Sequence, residues 1–161
     1  VGEVVVYTDG ACQGNPGPGG WAWAIAPEGA VRGSGGESRT TNQRMEIMAV
    51  LEALRANDGE ITVVSDSTYV VNCFRDRWWV RWEQNGWKNS KKEPVANPDL
   101  WKPLIALVKA KQPSFRWVKG HSGDRMNDLV DRLAVEAAKG PFDLPRPGSA
   151  PTDAGGQTSL F

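Results

Sequence analysis

Two short apolar runs each end on an aspartate: Val4-Val5-Val6-Tyr7-Thr8 leads into Asp9, and Ile61-Thr62-Val63-Val64-Ser65 leads into Asp66. Runs this short and this rich in β-branched residues predict buried strands. A carboxylate at the edge of such a run is costly unless it is paired or bound to a cation. Two further acids, Glu46 and Asp131, lie inside amphipathic helical patterns. Four such acids without a matching set of buried bases point to a divalent metal site.

The rest of the chain supplies the frame. Residues 3–9 predict a strand, and 10–20 a loop dense in Gly and Pro. Residues 21–26 and 31–38 predict two more strands around a turn at 27–29. Thr40 and Gln43 have capping-box spacing and open a helix to about Asn57, with Ile47, Val50, Leu51 and Leu54 as its apolar stripe. After the strand at 61–65, Ser67 begins a second helix, 78–82 forms a short one, and a polar loop runs through Asn97. A helix over 98–111, a strand over 115–118 and a helix over 124–139 complete the pattern, the last with Val130, Leu133, Ala134 and Ala137 inward. Three strands followed by alternating helices and strands define an α/β chain with a mixed sheet between helices. Asp9 and Asp66 then fall at C-terminal strand ends, where ligands bind in such sheets. Glu46 and Asp131 fall at the rims of their helical stripes, from which they can reach over the end of the sheet.

Composition narrows the partners. No stretch of the 161 residues approaches a membrane span, and no signal-peptide pattern is present. Cys12 and Cys73 have neither zinc-ligand nor disulfide-framework spacing, which predicts free thiols and a cytoplasmic protein. The formal net charge is zero but unevenly laid out. Residues 74–120 hold 11 Lys/Arg against 4 Asp/Glu, a net of +7, and the remainder holds 8 against 15, a net of −7. Within the basic stretch, Trp78, Trp79, Trp82, Trp87 and Trp101 are interleaved with Arg75, Arg77, Arg81, Lys88, Lys91 and Lys92. Aromatic faces with cations suit a nucleic-acid backbone and its sugars, although Trp79 and Trp101 read equally well as core.

Oxygen ligands with no thiolate set and one histidine suit Mg2+, with Mn2+ as a substitute. Two such ions can clamp a phosphodiester, one activating water and the other stabilising the leaving oxygen. Asp9 on the central strand is the natural shared ligand. His121, in the loop Lys119-Gly120-His121-Ser122-Gly123, reads equally well as a proton carrier near neutral pH beside a metal site and as an ordinary exposed loop histidine.

Taken together these segments resemble bacterial-type ribonuclease H, the type I enzyme. The segments are Tyr7-Thr8-Asp9-Gly10-Ala11-Cys12, Gly14-Asn15-Pro16-Gly17, Arg39-Thr40-Thr41-Asn42-Gln43-Arg44-Met45-Glu46, Ser65-Asp66-Ser67-Thr68-Tyr69-Val70, Gly86-Trp87-Lys88, Asn97-Pro98-Asp99-Leu100-Trp101, Trp117-Val118-Lys119-Gly120-His121-Ser122-Gly123 and Asn127-Asp128-Leu129-Val130-Asp131-Arg132-Leu133-Ala134. The resemblance spans about residues 3–139. It implies a ribonuclease H-like fold with a five-stranded mixed sheet flanked by helices. It also implies a monomeric endonuclease cutting the RNA strand of RNA–DNA hybrids to leave 3′-hydroxyl and 5′-phosphate ends. Asp9, Glu46, Asp66 and Asp131 would be ligands of two Mg2+ ions, and His121 would assist proton transfer and product release. Cys12, Asn15, Asn42 and Gln43 would read the minor groove and the RNA 2′-hydroxyls. Arg39, Thr41 and Asn97 would grip a DNA phosphate, and Trp78 and Trp87 belong to the substrate-binding segments. Where relatives carry a basic run this chain has Glu83-Gln84-Asn85, which implies a weaker basic protrusion at its tip. A metal-dependent exonuclease or transposase-like nuclease would share the acids but not the Asn15, Thr41-Asn42-Gln43 and tryptophan segments. A non-catalytic hybrid-binding module would have lost at least one of the four acids.

The sequence divides into residues 1–140, the catalytic domain, and residues 141–161, a Pro/Gly-rich segment that predicts a flexible tail. Its end, Gln157-Thr158-Ser159-Leu160-Phe161, resembles the short clamp-binding motif of bacterial replication proteins. Gln157, Leu160 and Phe161 would then dock in a pocket of the replication sliding clamp.

Overall fold

The valine- and isoleucine-rich runs do form the middle of a sheet. The computed structural model describes residues 3–142. Its elements are β1 (Val4–Cys12), β2 (Gly17–Ile25), β3 (Arg32–Thr40), α1 (Asn42–Ala56), β4 (Ile61–Ser65), α2 (Thr68–Arg75), α3 (Trp78–Gln84), α4 (Pro98–Lys111), β5 (Ser114–Trp117) and α5 (Arg125–Ala137). The five strands lie in the order β3-β2-β1-β4-β5. β1 pairs antiparallel with β2 and parallel with β4, and β4 pairs parallel with β5. The sheet is therefore mixed, with β1 central. It separates two apolar layers. Ile47, Val50, Leu51 and Leu54 of α1 join Val6, Val63 and the α4 residues Trp101, Leu104 and Ile105 in the larger one. Val130 and Ala134 of α5 join Tyr7, Ala22, Ala24 and Val64 in the smaller.

Two expectations are corrected. The Gly/Pro-rich stretch after Asp9 is largely strand. β1 continues to Cys12 and β2 starts at Gly17, with Ala11 opposite Gly20 and Cys12 opposite Gly19. Glycine serves close approach here: a Cβ on Gly20 would stand 2.8 Å from the Ala137 Cβ, so its absence lets α5 lie against β2. The α1 cap is also one residue later than the Thr40–Gln43 spacing predicts. Thr41 is the N-cap, its hydroxyl accepting from the Arg44 N–H at 3.2 Å. That frees the Gln43 side chain, which instead accepts from the Asn97 side-chain amide at 3.2 Å.

The basic stretch packs by its rings. Trp101 is fully buried, with Tyr69, Phe74 and Trp82 rings 5.8, 5.9 and 5.4 Å from its own. Trp101 is thus core, tying α2 and α3 to α4. Trp79 is half-buried between Arg77 and Lys109, whose cationic heads lie 5.7 and 5.2 Å from its ring.

Candidate active site

The register of the central strands decides where the first two acids meet. The parallel pairing of β1 with β4 ends at Thr8 opposite Ser65. Asp9 and Asp66 each follow that last pair directly, so adjacent parallel strands deliver them side by side. Asp9 is not at the end of its strand, as the sequence predicts, but at the end of its pairing with β4. Glu46 arrives from the first turns of α1. It can do so because residue 10 is glycine: a side chain there would collide with the backbone of Met45 and Glu46. The Gly10 N–H donates to Asp9 Oδ1 at 2.9 Å and to Glu46 Oε1 at 2.7 Å.

Asp9, Glu46 and Asp66 each offer a carboxylate oxygen within 4.8 Å of the others. Asp9 is buried, 4% exposed, and Glu46 and Asp66 are half-buried. Such crowding favours protonation. Burial, then Glu46 and Asp66, push Asp9 up to about 10. Burial and the Asp66 charge push Glu46 up to about 8. Asp66 is also raised, chiefly by burial. Asp131 stands outside the three-acid cluster, yet its charge acts on both Glu46 and Asp66. His121 is exposed on its loop, with φ of 55°, and its charge favours the ionised form of Asp66. Oxygen donors this close, held at a cost that a cation would relieve, fit a hard divalent ion.

Several of the expected substrate residues contact one another. The Asn42 N–H donates to Asn15 Oδ1 at 3.1 Å. Gln43 is bonded to Asn97, which caps α4 with φ of 62°. The Cys12 thiol lies 3.5 Å from the Gly17 and Thr40 carbonyls, and Arg39 is exposed near the end of β3. Trp78 packs on Tyr69 at 5.5 Å and lines a cavity of about 830 Å³ together with Arg77, Arg81 and Lys88. Trp87 is half-buried beneath Lys102 and beside Trp82.

Sequence reasoning missed two supports. Arg44, 7% exposed, donates to both Asp99 oxygens, at 3.0 and 2.6 Å, and to Asn97 Oδ1 at 2.9 Å. This bidentate pair fixes α4 and Asn97 against α1. The Gly10 N–H is the second. An arginine in a helical pattern reads as surface, and only its place among Thr41, Gln43 and Glu46 hints otherwise.

A mixed five-stranded sheet whose central strand presents a cluster of acids defines a nuclease of the ribonuclease H-like fold, and the comparisons agree. Residues 2–139 match the RNase H family. The Ribonuclease H of Syntrophomonas wolfei subsp. wolfei (strain DSM 2245B / Goettingen) is 55% identical over 141 residues, 85% of this chain and 97% of that protein. Among solved structures, LC9-RNase H1, a type 1 RNase H with the type 2 active-site motif, is 35% identical with a TM-score of 0.73, over 85% of this chain and 72% of that one. LC11-RNase H1 in complex with an RNA/DNA hybrid shares the fold at 23% identity, with a TM-score of 0.65 over 84% and 96% of the two chains. The chain therefore belongs to the RNase H family.

Proposed function

We propose that this chain is an endonuclease that hydrolyses the RNA strand of RNA–DNA hybrids and leaves 5′-phosphate and 3′-hydroxyl ends. The observation that carries the reading is the three-carboxylate cluster of Asp9, Glu46 and Asp66 around the Gly10 N–H. Asp9, Glu46, Asp66 and Asp131 would hold two Mg2+ ions, with Mn2+ as a substitute and Asp9 shared, and the bound ions supply activation of water and stabilisation of the leaving 3′ oxygen. The protein's own groups do the remainder. Gly10 fixes two of the carboxylates. His121, on an exposed loop beside Asp66, is placed to carry a proton away from the attacking water and to help the product leave. Cys12, Asn15, Asn42 and Gln43 face the minor groove, where the 2′-hydroxyl distinguishes RNA from DNA. Arg39, Thr41 and Asn97 bind a phosphate of the DNA strand, Asn97 being held in place by Arg44. The cavity beside Trp78 takes DNA sugar, and Trp87 supports that wall.

The protein is proposed to act in the cytoplasm as a monomer; no described helix is long and apolar enough to cross a membrane. The second segment of the chain carries a separate reading. Gln157, Leu160 and Phe161 would tether the enzyme to the replication sliding clamp, raising its concentration at replicating DNA. These residues lie outside the described ones. Calorimetry with a peptide of residues 150–161 and a cognate clamp tests the tether, and absence of heat ends it.

The deciding experiment is digestion of a uniformly labelled RNA–DNA hybrid with and without Mg2+, beside matched RNA–RNA and DNA–DNA duplexes. Internal, cation-dependent cuts in the RNA of the hybrid alone are expected. Products released one nucleotide at a time would assign an exonuclease. Binding without cutting in either Mg2+ or Mn2+ would leave a hybrid-binding module.

A further inference from the structure

The three clustered acids are not held alike. Asp9 and Glu46 share the Gly10 N–H. Asp66 is held instead by the strand and loop beside it, and its main chain is pinned on both sides. Ser65 before it pairs with Trp117 of β5 and accepts from the Val118 N–H at 3.0 Å. Ser67 after it caps α2, and the Ser67 N–H donates to Ser65 Oγ at 3.0 Å. The Asp66 carbonyl itself accepts from the Trp117 indole N–H at 3.1 Å. With the main chain fixed in this way, the carboxylate moves by turning about its own side-chain bonds.

Gly120 lies against that carboxylate. A Cβ there would stand 2.8 Å from Asp66 Oδ2, 3.5 Å from its Cγ and 3.6 Å from its Cβ, the three nearest atoms beyond the neighbouring residues. Elsewhere glycine serves the fold. Gly10, Gly20 and Gly36 leave room for backbone, and Gly33 for the Trp23 ring. Gly123, in the same loop as Gly120, has open space around it but a φ of 88°, which itself calls for glycine. Gly120 is not among the glycines of positive φ. Neither a left-handed turn nor a crossing of backbone therefore calls for glycine at 120. What a side chain would displace there is the carboxylate of one of the three clustered acids.

We infer that Gly120 is a positioning residue: by carrying no side chain it lets the loop after β5 close on the Asp66 carboxylate and leaves that carboxylate turned toward the space shared with Asp9 and Glu46. The inference rests on the cation site proposed above and assigns a second layer to it. Outer groups that orient a ligating carboxylate set its affinity, and their loss weakens metal binding by about 10–100-fold.

Calorimetric titration of the full chain with Mn2+ tests this, comparing the wild type with Gly120→Ala and with Gly123→Ala, a change in the same loop that meets no carboxylate. In Gly120→Ala the dissociation constant for Mn2+ is expected to rise about tenfold or more, with the melting temperature near the wild-type value. In Gly123→Ala the melting temperature is expected to fall, because alanine resists a positive φ, with the dissociation constant unchanged. On an RNA–DNA hybrid at fixed Mg2+, kcat of Gly120→Ala is expected to fall about a hundredfold, the effect of misplacing a reacting group by about 1 Å, while KM stays near the wild-type value. A crystal structure of metal-free Gly120→Ala reads the geometry directly: the Asp66 carboxylate is expected to have turned while the backbone of β5 and its loop stays in place. Wild type that takes up no cation removes the site and the inference with it. Wild type that binds Mn2+ with Gly120→Ala within twofold of it, an equal loss in both variants, or a loop that gives way while Asp66 stays, overturns the role of Gly120 and leaves the site standing.

Discussion

A carboxylate surrounded by other carboxylates serves binding at the expense of the fold. Asp9 is the extreme case, buried and pushed up to about 10 by desolvation and by Glu46 and Asp66. Asp9→Asn removes that tension while keeping the shape. It is expected to abolish cleavage yet raise the stability of the metal-free protein by about 1–2 kcal/mol, a melting shift of roughly 2–8 °C. Hybrid affinity, read by a gel shift without cation, should stay close to wild type. Measurable cutting by this variant would remove Asp9 from the mechanism. His121 belongs to the same scale but to a different task. It is exposed and packs into no core cluster, so His121→Ala should melt like wild type. Its kcat should fall about a hundredfold, in keeping with loss of one proton-transfer group.

Among the elements, α1 and α4 are joined by two kinds of contact. One is ionic: Arg44, buried, with Asp99, whose side chain is 44% exposed. The Arg44 hydrogen bond holds the Asp99 carboxyl below its ordinary value. The stabilisation it gives is therefore complete above the unfolded carboxylate range and is lost as pH falls through the folded value. Asp99→Ala leaves a buried guanidinium with less to bind and should cost about 1.5–3 kcal/mol, less than for a fully buried pair because Asp99 meets solvent. Hybrid affinity should weaken as well, because Asn97 loses part of its support. The other contact is aromatic. Trp101→Ala should cost about 3–5 kcal/mol in denaturant melts, whereas Trp101→Phe should cost less, since its indole N–H donates to no partner among the described residues.

The same elements show what sequence can and cannot carry. β4, α1 and the two aspartates of the central strands were legible because apolar runs and a helical period speak for themselves. The continuation of β1 and the start of β2 were not: Gly19 and Gly20 carry a turn composition, but here they make room for helices and neighbouring strands. The acids were legible individually as misfits beside apolar runs. Their grouping into three plus an outlying Asp131 depends on strand register and helix approach, which no local pattern encodes.

For the whole molecule the raised carboxyls act in one direction. Asp9 sits at about 10, Glu46 at about 8 and Glu37 at about 7, with Asp66 also raised. Between the ordinary carboxylate range near 4 and these values, the folded chain binds more protons than the unfolded one. Stability of the metal-free protein must therefore fall as pH rises from about 5 towards 10. Mg2+ should reverse the trend, raising the melting temperature more at pH 9 than at pH 6, because it replaces the protons the cluster gives up. A metal-free melting temperature that climbs with pH, or a Mg2+ effect that is flat across it, would contradict the cluster's electrostatics.

The pairing of Thr8 with Ser65 has a temporal consequence. Positions 9, 46 and 66 are far apart along the chain, and nothing local holds them together before β1 finds β4. A nascent or half-folded chain therefore has no cutting centre to misuse on nearby RNA–DNA hybrids. The enzyme is born inert and becomes a nuclease only at the moment its sheet closes.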